Sequence, residues 1–253
     1  MTKNPLRSKL AAKEPAYGLW VTLESATVSE VAAEIGLDWI CIDLEHGSLS
    51  YRDIIDHARA TRGSDTAVLV RVPALASDTI KRCLDIGVHG LIVPLVRNAE
   101  DLREAFRYAL YPPSGIRAIG GERATRWGLQ KDEYLNTANE ETMVIPLIET
   151  AEASRDIGNI LKVPGLQTVF FGPTDLSASK GHFNQWEGPG IAEDILRMNN
   201  LAAERGISTG IVATRLEDAQ KRKEQGFRLI GLGADVEMMI RQIKGLLGTL
   251  KGQ

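Results

Sequence analysis

Short apolar runs alternate along the chain with segments whose apolar residues recur every three or four positions. The short runs predict buried strands, and the periodic segments predict amphipathic helices. Strands are predicted at 17–23, 39–44, 67–72, 90–96, 143–149, 168–172, 208–213 and 229–233. Helices are predicted at 27–36, 51–62, 77–87, 98–109, 152–161, 190–205, 215–226 and 235–250. This regular alternation is typical of the α/β class.

Eight successive strand–helix units predict a single (β/α)8 TIM barrel that takes up the whole chain, residues 1–253. The strands are almost continuously apolar, which suits a parallel sheet whose outer face is covered by helices. A doubly wound open sheet is the structural alternative. It is disfavoured because no Gly-x-Gly-x-x-Gly turn follows the first strand.

Two connections are long enough to indicate a functional or interfacial role, 110–141 and 173–189. The second leaves the carboxyl end of a strand, which is the catalytic face of a TIM barrel. The first should lie at the opposite face, unless it reaches a neighbouring subunit.

Composition narrows the function classes. The net charge is −3, and no concentrated basic face indicates nucleic-acid binding. No apolar run approaches the roughly 18 residues of a membrane span. The polar amino-terminal segment predicts no secretion, and Cys41 and Cys83 are predicted to be buried free thiols. We therefore expect a cytoplasmic protein.

Ionisable residues gather where the predicted strands end. In a barrel, residues from the ends of several strands meet at one face, so these side chains predict a reaction site. They are Asp43, Glu45 and His46 after the second strand, Arg71 in the third, Glu149 after the fifth and Asp175 after the sixth. A structural ion pair between Arg71 and Glu149 inside the barrel is the alternative reading.

Glu149 and Asp175 are hard oxygen ligands that suit Mg²⁺ or Mn²⁺, with positions left open for substrate. An acid–base couple without metal is the alternative for this pair. The turn Gly172-Pro173-Thr174-Asp175 follows a strand directly, and its backbone N–H groups could hold an anionic substrate group. No predicted strand contains the lysine that Schiff-base chemistry needs, and Lys180 reads as a surface residue.

Eight short motifs, in order, resemble the class II pyruvate aldolases of the HpcH/HpaI type. That family includes 4-hydroxy-2-oxoheptanedioate aldolases and 2-keto-3-deoxy-sugar-acid aldolases. The motifs are GLW 18–20, DLEHG 43–47, VRVP 70–73, LIVPLV 91–96, YPPSGIR 111–117, RATRWG 123–128, IET 148–150 and GPTDLS 172–177. The resemblance covers nearly the whole chain.

The resemblance implies a barrel of the phosphoenolpyruvate/pyruvate superfamily that reversibly cleaves 4-hydroxy-2-oxo acids. The products would be pyruvate, or a hydroxylated analogue, and an aldehyde, formed through a metal-stabilised enolate in aromatic or sugar-acid catabolism. It also implies Mg²⁺, Mn²⁺ or Co²⁺ as cofactor and a homohexamer, a trimer of dimers in which the last helix packs on a neighbour.

The resemblance also assigns roles to individual residues. Glu149 and Asp175 would hold the metal. The backbone of Thr174 and Asp175 would receive the substrate carboxylate, with Gly172 and Pro173 also among the substrate-binding residues. Arg71 would point at the keto oxygen, and Trp20 and Val212 would line the pocket. His46 would be the base, oriented by Asp43, and Asp85 would reach the site of an adjoining subunit.

One position departs from the family pattern. Leu147 stands where members often have a glutamine, so a hydrogen bond near the metal is lost or supplied elsewhere. Asp43 and His46 can meet only if the chain leaves the strand near Leu44, because strict alternation would place them on opposite faces. Two other functions stay open: an acyl-CoA lyase of the citryl- or malyl-CoA type, and a non-catalytic barrel that binds oxo acids.

Overall fold

The computed structural model describes residues 3–188 and 190–252, so Pro189, the last residue of the predicted 173–189 connection, lies outside the described residues. Eight parallel strands form a closed barrel in sequence order. They are β1 Ala16–Val21, β2 Trp39–Asp43, β3 Ala67–Arg71, β4 Gly90–Val93, β5 Met143–Ile148, β6 Thr168–Phe171, β7 Ser208–Val212 and β8 Leu229–Ala234. The predicted (β/α)8 barrel is confirmed.

Helix α1 precedes the first strand, and the other helices lie between or after the strands. They are α1 Pro5–Ala11, α2 Thr27–Glu34, α3 Tyr51–Ala60, α4 Ser77–Ile86, α5 Ala99–Ala109, α6 Lys131–Glu141, α7 Ala151–Ile160, α8 Pro173–Ser179, α9 Ile191–Ala203, α10 Leu216–Glu224 and α11 Asp235–Lys251. We call the end of the barrel where the strands finish its carboxyl end and the other its amino end. The helices that follow strands begin near the carboxyl end and return toward the amino end.

Strand alternation divides the apolar residues into two layers. One layer lies between the strands and the helices, and the other fills the barrel interior. Trp39 is fully buried in the interior and packs edge to face on Trp20, with ring centroids 5.8 Å apart. Gly18 makes this possible, because a Cβ there would lie 2.1 Å from the Trp39 ring. The described residues therefore fill the barrel interior as a packed core.

Helix α1 closes the amino end of the barrel. Leu6 and Leu10 on this helix are buried among interior residues of the strands. Asn4 fixes the helix: its side chain accepts from the Arg7 N–H and donates to the carbonyl oxygens of His89 and Glu141, both at 2.9 Å. Asn4 before Pro5 is a start signal for a helix, but the segment is too short to show apolar periodicity.

Both long connections contain helices that the sequence did not predict. Helix α6 lies within 110–141, and only Tyr134 and Ala138 on it are buried, which leaves little periodicity to read. Helix α8 begins directly after Gly172, so the Gly-Pro pair there is a helix start with proline at the first position.

The 110–141 connection lies at the amino end, as predicted. Arg123 donates to the carbonyl oxygens of Ile86 at 2.6 Å and Ala58 at 2.9 Å, which belong to the last turns of α4 and α3. Cys41 and Cys83 are both buried free thiols, as expected. In the part of the chain that the structure describes, no helix is long and apolar enough to cross a bilayer.

Candidate active site

The end of β2 determines how the DLEHG segment turns. Asp43 is the last residue of β2, and its carboxylate Oδ1 accepts from the backbone N–H of Glu45 at 3.0 Å and of His46 at 3.3 Å. The chain therefore leaves the strand at Leu44, as the sequence required for Asp43 and His46 to lie near each other. Asp43 is 2% exposed, so its charge needs a partner.

Arg71 at the end of β3 is that partner. Its Nε and Nη2 donate to the two carboxylate oxygens of Asp43, at 2.9 Å and 2.5 Å. This two-pronged pairing fixes the plane of the guanidinium. The Arg71 carbon Cζ also lies 5.6 Å from the centre of the Trp20 ring. Arg71 is thus held rigidly, with its positive charge at the carboxyl end of the barrel.

Glu45 holds the other side of the same guanidinium. Its Oε2 lies 2.9 Å from Arg71 Nη1, in an ion pair without good hydrogen-bond alignment. Burial raises the pKa of the Glu45 carboxyl, while the charges of Arg71 and His46 lower it and those of Asp43 and Asp175 raise it. Glu45 therefore sits within the charge field of the whole cluster.

The His46 ring is open to solvent. Its side chain is 71% exposed, and its Nε2 lies 3.9 Å from Glu45 Oε2. The structure differs here from the expectation that Asp43 orients the ring. Asp43 is engaged by Arg71 and by backbone N–H groups, and the side chain near the imidazole is that of Glu45.

Glu149 follows β5 and is 3% exposed. Its Oε1 accepts from the backbone N–H of Leu95 at 2.7 Å. Burial raises the pKa of this carboxyl to about 7. The Leu95 N–H and Arg71 lower it, and the charges of Glu45 and Asp175 raise it. The negative form of Glu149 thus lacks sufficient compensating charge in this setting.

Gly172 gives Glu149 its space. A Cβ at this position would lie 2.9 Å from the Glu149 Cβ and 3.0 Å from its Oε2. Asp175 lies in the first turn of α8, and Thr174 and Asp175 are both exposed. The first N–H groups of a helix have no partner within it, so those of Thr174 and Asp175 are free for a ligand at this edge.

The apolar wall of the site comes from the barrel interior. Trp20 is 8% exposed and packs on Phe170 with ring centroids 5.2 Å apart. Val212 ends β7, is partly buried and packs on the same interior cluster. Both predicted lining residues therefore lie where the packed interior meets the charged cluster.

Asp85 lies apart from the other predicted site residues. It is on the last turn of α4, at the amino end, and its Oδ1 accepts from Arg117 Nη2 at 2.8 Å. Within one chain, Asp85 therefore does not join the Arg71 cluster. Its side chain is 20% exposed, which leaves it accessible from outside the subunit.

The structure decides between the alternatives for Arg71 and shows the contacts of Lys180. Arg71 pairs with Asp43 and Glu45, not with Glu149. Lys180 was predicted to be a surface residue; its side chain is 24% exposed, contacts Asp194 and donates to Ser154 Oγ at 3.0 Å.

Leu95 is a site residue that sequence reasoning missed. Its backbone has a φ of 53°, a left-handed conformation that is uncommon for leucine. A backbone donor leaves no mark in residue identity, so only the structure could reveal that Leu95 binds Glu149. Leu147, which replaces the usual family glutamine, is buried in the barrel interior. The Leu95 N–H therefore supplies a hydrogen bond to Glu149 from another segment.

A divalent metal ion fits the two carboxylates. Among residues 3–188 and 190–252, no cluster of three or more His, Cys, Asp or Glu side chains could enclose a metal. Glu149 and Asp175 are an incomplete set of hard oxygen ligands, as expected for a cation that shares its coordination with substrate. The raised pKa of Glu149 and the space that Gly172 leaves beside its Oε2 both suit a bound cation.

A closed (β/α)8 barrel with fixed charges at the carboxyl ends of its strands defines a TIM-barrel enzyme. Residues 16–242 match the family described as HpcH/HpaI aldolase/citrate lyase, and the chain belongs to that family. It is an aldolase-type enzyme, and aldolases of this family generally depend on a divalent metal.

Relatives align along nearly their full length. The chain is 34% identical over 257 residues to a hydroxypyruvate/pyruvate aldolase of Paraburkholderia phytofirmans, covering 98% of each chain. It is 34% identical over 253 residues to a 4-hydroxy-2-oxo-heptane-1,7-dioate aldolase of Escherichia coli, covering 99% of this chain and 96% of the relative. A crystal structure of a family member from Burkholderia cenocepacia J2315 superposes with a TM-score of 0.94 at 34% identity, covering 98% and 100% of the two chains.

Proposed function

We propose that the protein is a divalent-metal-dependent aldolase that cleaves 4-hydroxy-2-oxo acids to pyruvate, or hydroxypyruvate, and an aldehyde. The observation that carries this proposal is the rigid Arg71 guanidinium beside the buried, protonatable Glu149. Two relatives whose names specify pyruvate, hydroxypyruvate or a 4-hydroxy-2-oxo acid support the substrate class.

Arg71 would bind the keto oxygen of the substrate. Two of its nitrogens are occupied by Asp43, so the guanidinium cannot swing away when the substrate enters. Cleavage of the C3–C4 bond leaves its electron pair on the oxo-acid fragment, where negative charge develops on the keto oxygen. A fixed positive charge stabilises that state without having to reorganise.

His46 would handle the proton. In cleavage it takes the proton of the 4-hydroxyl group as the aldehyde forms and then delivers a proton to C3 of the enolate, which gives the free oxo acid. In synthesis the two transfers run in reverse: a C3 proton is removed, and the new hydroxyl is protonated. The exposed ring can meet a substrate at the open end of the barrel, and Glu45 at 3.9 Å would orient it. We assign Asp43 to positioning: it holds Arg71 and the backbone of the loop that carries His46.

Glu149 and Asp175 would hold the metal, with Mg²⁺, Mn²⁺ and Co²⁺ as candidates. When bound, the cation would supply Lewis-acid stabilisation of the negative charge on the oxo acid. The substrate carboxylate would lie at the start of α8, between Gly172 and Asp175, where the free N–H groups of Thr174 and Asp175 favour an anion.

Trp20 and Val212 would form the apolar wall that meets the substrate. Both extend the packed interior toward the charged cluster, so they limit how far a bound molecule can descend into the barrel. Their bulk gives the floor of the site a fixed shape, against which aldehydes of different size are selected.

We further propose a homo-oligomer, a hexamer arranged as a trimer of dimers. Helix α11 carries an apolar face that the single chain leaves exposed, and a second copy of the chain would cover it. The exposed residues are Met238, Met239, Ile240, Ile243, Leu246, Leu247 and Leu250. Asp85, outside the site of its own chain, would then complete the site of a neighbour.

The chain would act as one catalytic domain, because a single barrel takes up all the strands between residues 16 and 234. A cytoplasmic location and a role in aromatic or sugar-acid catabolism stay predictions from the sequence.

Proton exchange tests the reaction without knowledge of the aldehyde. The purified protein, stripped of metal or loaded with Mg²⁺ or Mn²⁺, is incubated in D₂O with pyruvate or hydroxypyruvate. Loss of the C3 proton signal is followed by NMR in the Mg²⁺ samples. Mn²⁺ reactions are quenched and compared with a sample quenched at time zero, because paramagnetic Mn²⁺ broadens the signals. We expect metal-dependent exchange that disappears in Arg71→Met. No exchange of either oxo acid in any form would overturn the proposed nucleophile and favour the acyl-CoA or non-catalytic alternatives.

A further inference from the structure

A cavity of about 510 Å³ opens at the amino end of the barrel, away from the Arg71 cluster. Its lining comes from the last turn of α3 and the loop that follows it, from Gly87 directly after α4, and from the segment 123–130. Its volume is that of a small-molecule site. The proposed aldolase chemistry at the carboxyl end gives this cavity no role.

The cavity is strongly basic. Its lining has a single carboxylate, Asp65, against five basic side chains: Lys3, Arg59, Arg62, Arg123 and Arg126. The whole chain carries a net charge of −3, so the cavity is positively charged although the protein as a whole is negatively charged. A cleft lined by one sign of charge focuses the field and attracts ligands of the opposite sign.

The fold itself uses only part of this charge. Arg123 caps the ends of α3 and α4, and Arg59 pairs with Asp56 at 2.9 Å. Among the described residues, no ion pair joins Lys3, Arg62 or Arg126 to a carboxylate. Burial and the like charges of Arg59 and Arg62 lower the pKa of Arg123, so the positive charges repel each other.

The rim of the cavity has an unusual backbone. Arg126 and Trp127 are consecutive residues with φ values of 51° and 55°. This left-handed conformation is costly for residues other than glycine, and such residues concentrate at functional sites. The indole of Trp127 is 67% exposed beside the basic groups. An exposed aromatic face next to arginines is suited to a flat ring that carries a phosphate.

We propose that this cavity binds a phosphorylated small molecule with a planar ring, such as a nucleoside monophosphate. The phosphate would lie between Arg62 and Arg126, with Lys3 nearby, and the ring would stack on Trp127. The site would lie at the end of the barrel opposite the Arg71 cluster of the same chain.

Titration calorimetry of the full-length protein with AMP tests this, with inorganic phosphate as a second probe. EDTA is present in one series, which excludes binding through a metal at the catalytic end. The double variant Arg62→Gln/Arg126→Asn removes both arginines, and asparagine tolerates the left-handed backbone. Arg155→Gln is the matched control, because Arg155 is a 73% exposed arginine on α7, outside the cavity lining.

We expect AMP to bind with and without EDTA, and the dissociation constant to rise at least tenfold in the double variant but less than twofold in Arg155→Gln. Trp127→Asn should weaken AMP binding and leave phosphate binding unchanged. Oxo-acid proton exchange should persist in all variants, which separates a folded protein from a misfolded one. No binding at millimolar AMP, loss of binding in EDTA, or equal affinity of the double variant would each overturn the proposal.

Discussion

The two ends of the barrel are built from the same strands and differ in almost every other respect. At the amino end, Leu6 and Leu10 of α1 close the interior with apolar side chains. At the carboxyl end, the inward positions are Asp43, Arg71 and, just beyond β5, Glu149. Within one strand, Trp39 and Asp43 point into the same interior four positions apart.

This contrast teaches where stability and chemistry are located. Apolar closure at the amino end needs no partner molecule and contributes folding free energy. The carboxyl end carries carboxylates that are buried or close to one another. Burial disfavours the charged form of Glu149, so its raised pKa corresponds to a cost in folding free energy. Substitutions in the Arg71 cluster at the carboxyl end should therefore change turnover, and truncations of the apolar side chains that close the amino end should change stability.

Glu149→Gln should have the largest effect on turnover. The amide keeps the size of the side chain but removes a proposed metal ligand, so we expect turnover to fall at least about a thousandfold. Metal affinity, measured by calorimetry, should fall with it. Wild-type metal affinity in this variant would remove Glu149 from the site.

The same variant has a pH signature in metal-free protein. The pKa of Glu149 is raised from 4.5 in the unfolded chain to about 7 in the folded state. Its stabilising contribution is therefore complete below pH 4.5 and is lost as the pH rises through about 7. Relative to Glu149→Gln, wild type should lose about 3 kcal/mol of unfolding free energy across that window. Urea unfolding between pH 4.5 and 8 measures this, and parallel profiles would contradict it.

His46→Ala should rank second, with turnover reduced about 10²- to 10⁴-fold, the usual range for loss of a proton-transfer group. Because the ring is 71% exposed, unfolding free energy should change by less than about 0.5 kcal/mol. His182→Ala, at another exposed histidine, is the control and should be neutral in both measurements. Near-wild-type turnover of His46→Ala would exclude it as the base.

Gly172→Ala should weaken metal binding about tenfold, because the new methyl group would press on Glu149. Gly158→Ala is the matched control, since a Cβ at Gly158 meets nothing within 4 Å. That control should raise the unfolding free energy by roughly 0.5–1 kcal/mol, as alanine does within a helix. Equal metal affinity in both variants would show that the space beside Glu149 is not needed.

Leu6→Ala should have the smallest effect on turnover and a large effect on stability. Leu6 is 1% exposed, and truncation of such a side chain costs about 2–5 kcal/mol of unfolding free energy. Turnover measured well below the unfolding transition should stay within about twofold of wild type. A loss of turnover comparable to that of His46→Ala would break the separation between the two ends.

Much of the fold could be predicted because strand and helix periods differ clearly. All eight strands lie inside their predicted segments, except that β1 begins one residue early and β8 ends one residue late. The main error at a strand end is β4, predicted to residue 96 and ending at Val93, because Leu95 turns into a left-handed conformation. Periodicity carries no signal for such a turn. Helix α1 escaped prediction for a related reason, since its seven residues are held by tertiary contacts.

The gathering of charged side chains at the carboxyl end could be predicted from residue type at strand ends, but the pairings among these side chains could not. Asp43 was expected to orient the His46 ring, but in the structure its carboxylate binds Arg71 and the backbone N–H of His46. Which of two acceptors an arginine selects depends on distances of an ångström, which spacing along the chain does not determine. The assembly that would place Asp85 in the site of a neighbouring subunit likewise depends on the surface of the folded subunit, which no local sequence pattern specifies.

The closure of the amino end by α1 also bears on the order in which the chain folds. Asn4 binds Glu141, 137 residues further along, and Leu6 and Leu10 pack in the cluster that contains Leu229. These partners are synthesised long after α1, so the earliest helix must wait until the last strand has joined the sheet. Contacts over such separations form slowly. Docking of α1 is therefore a late step of folding during biosynthesis, and it occurs only once the barrel is complete.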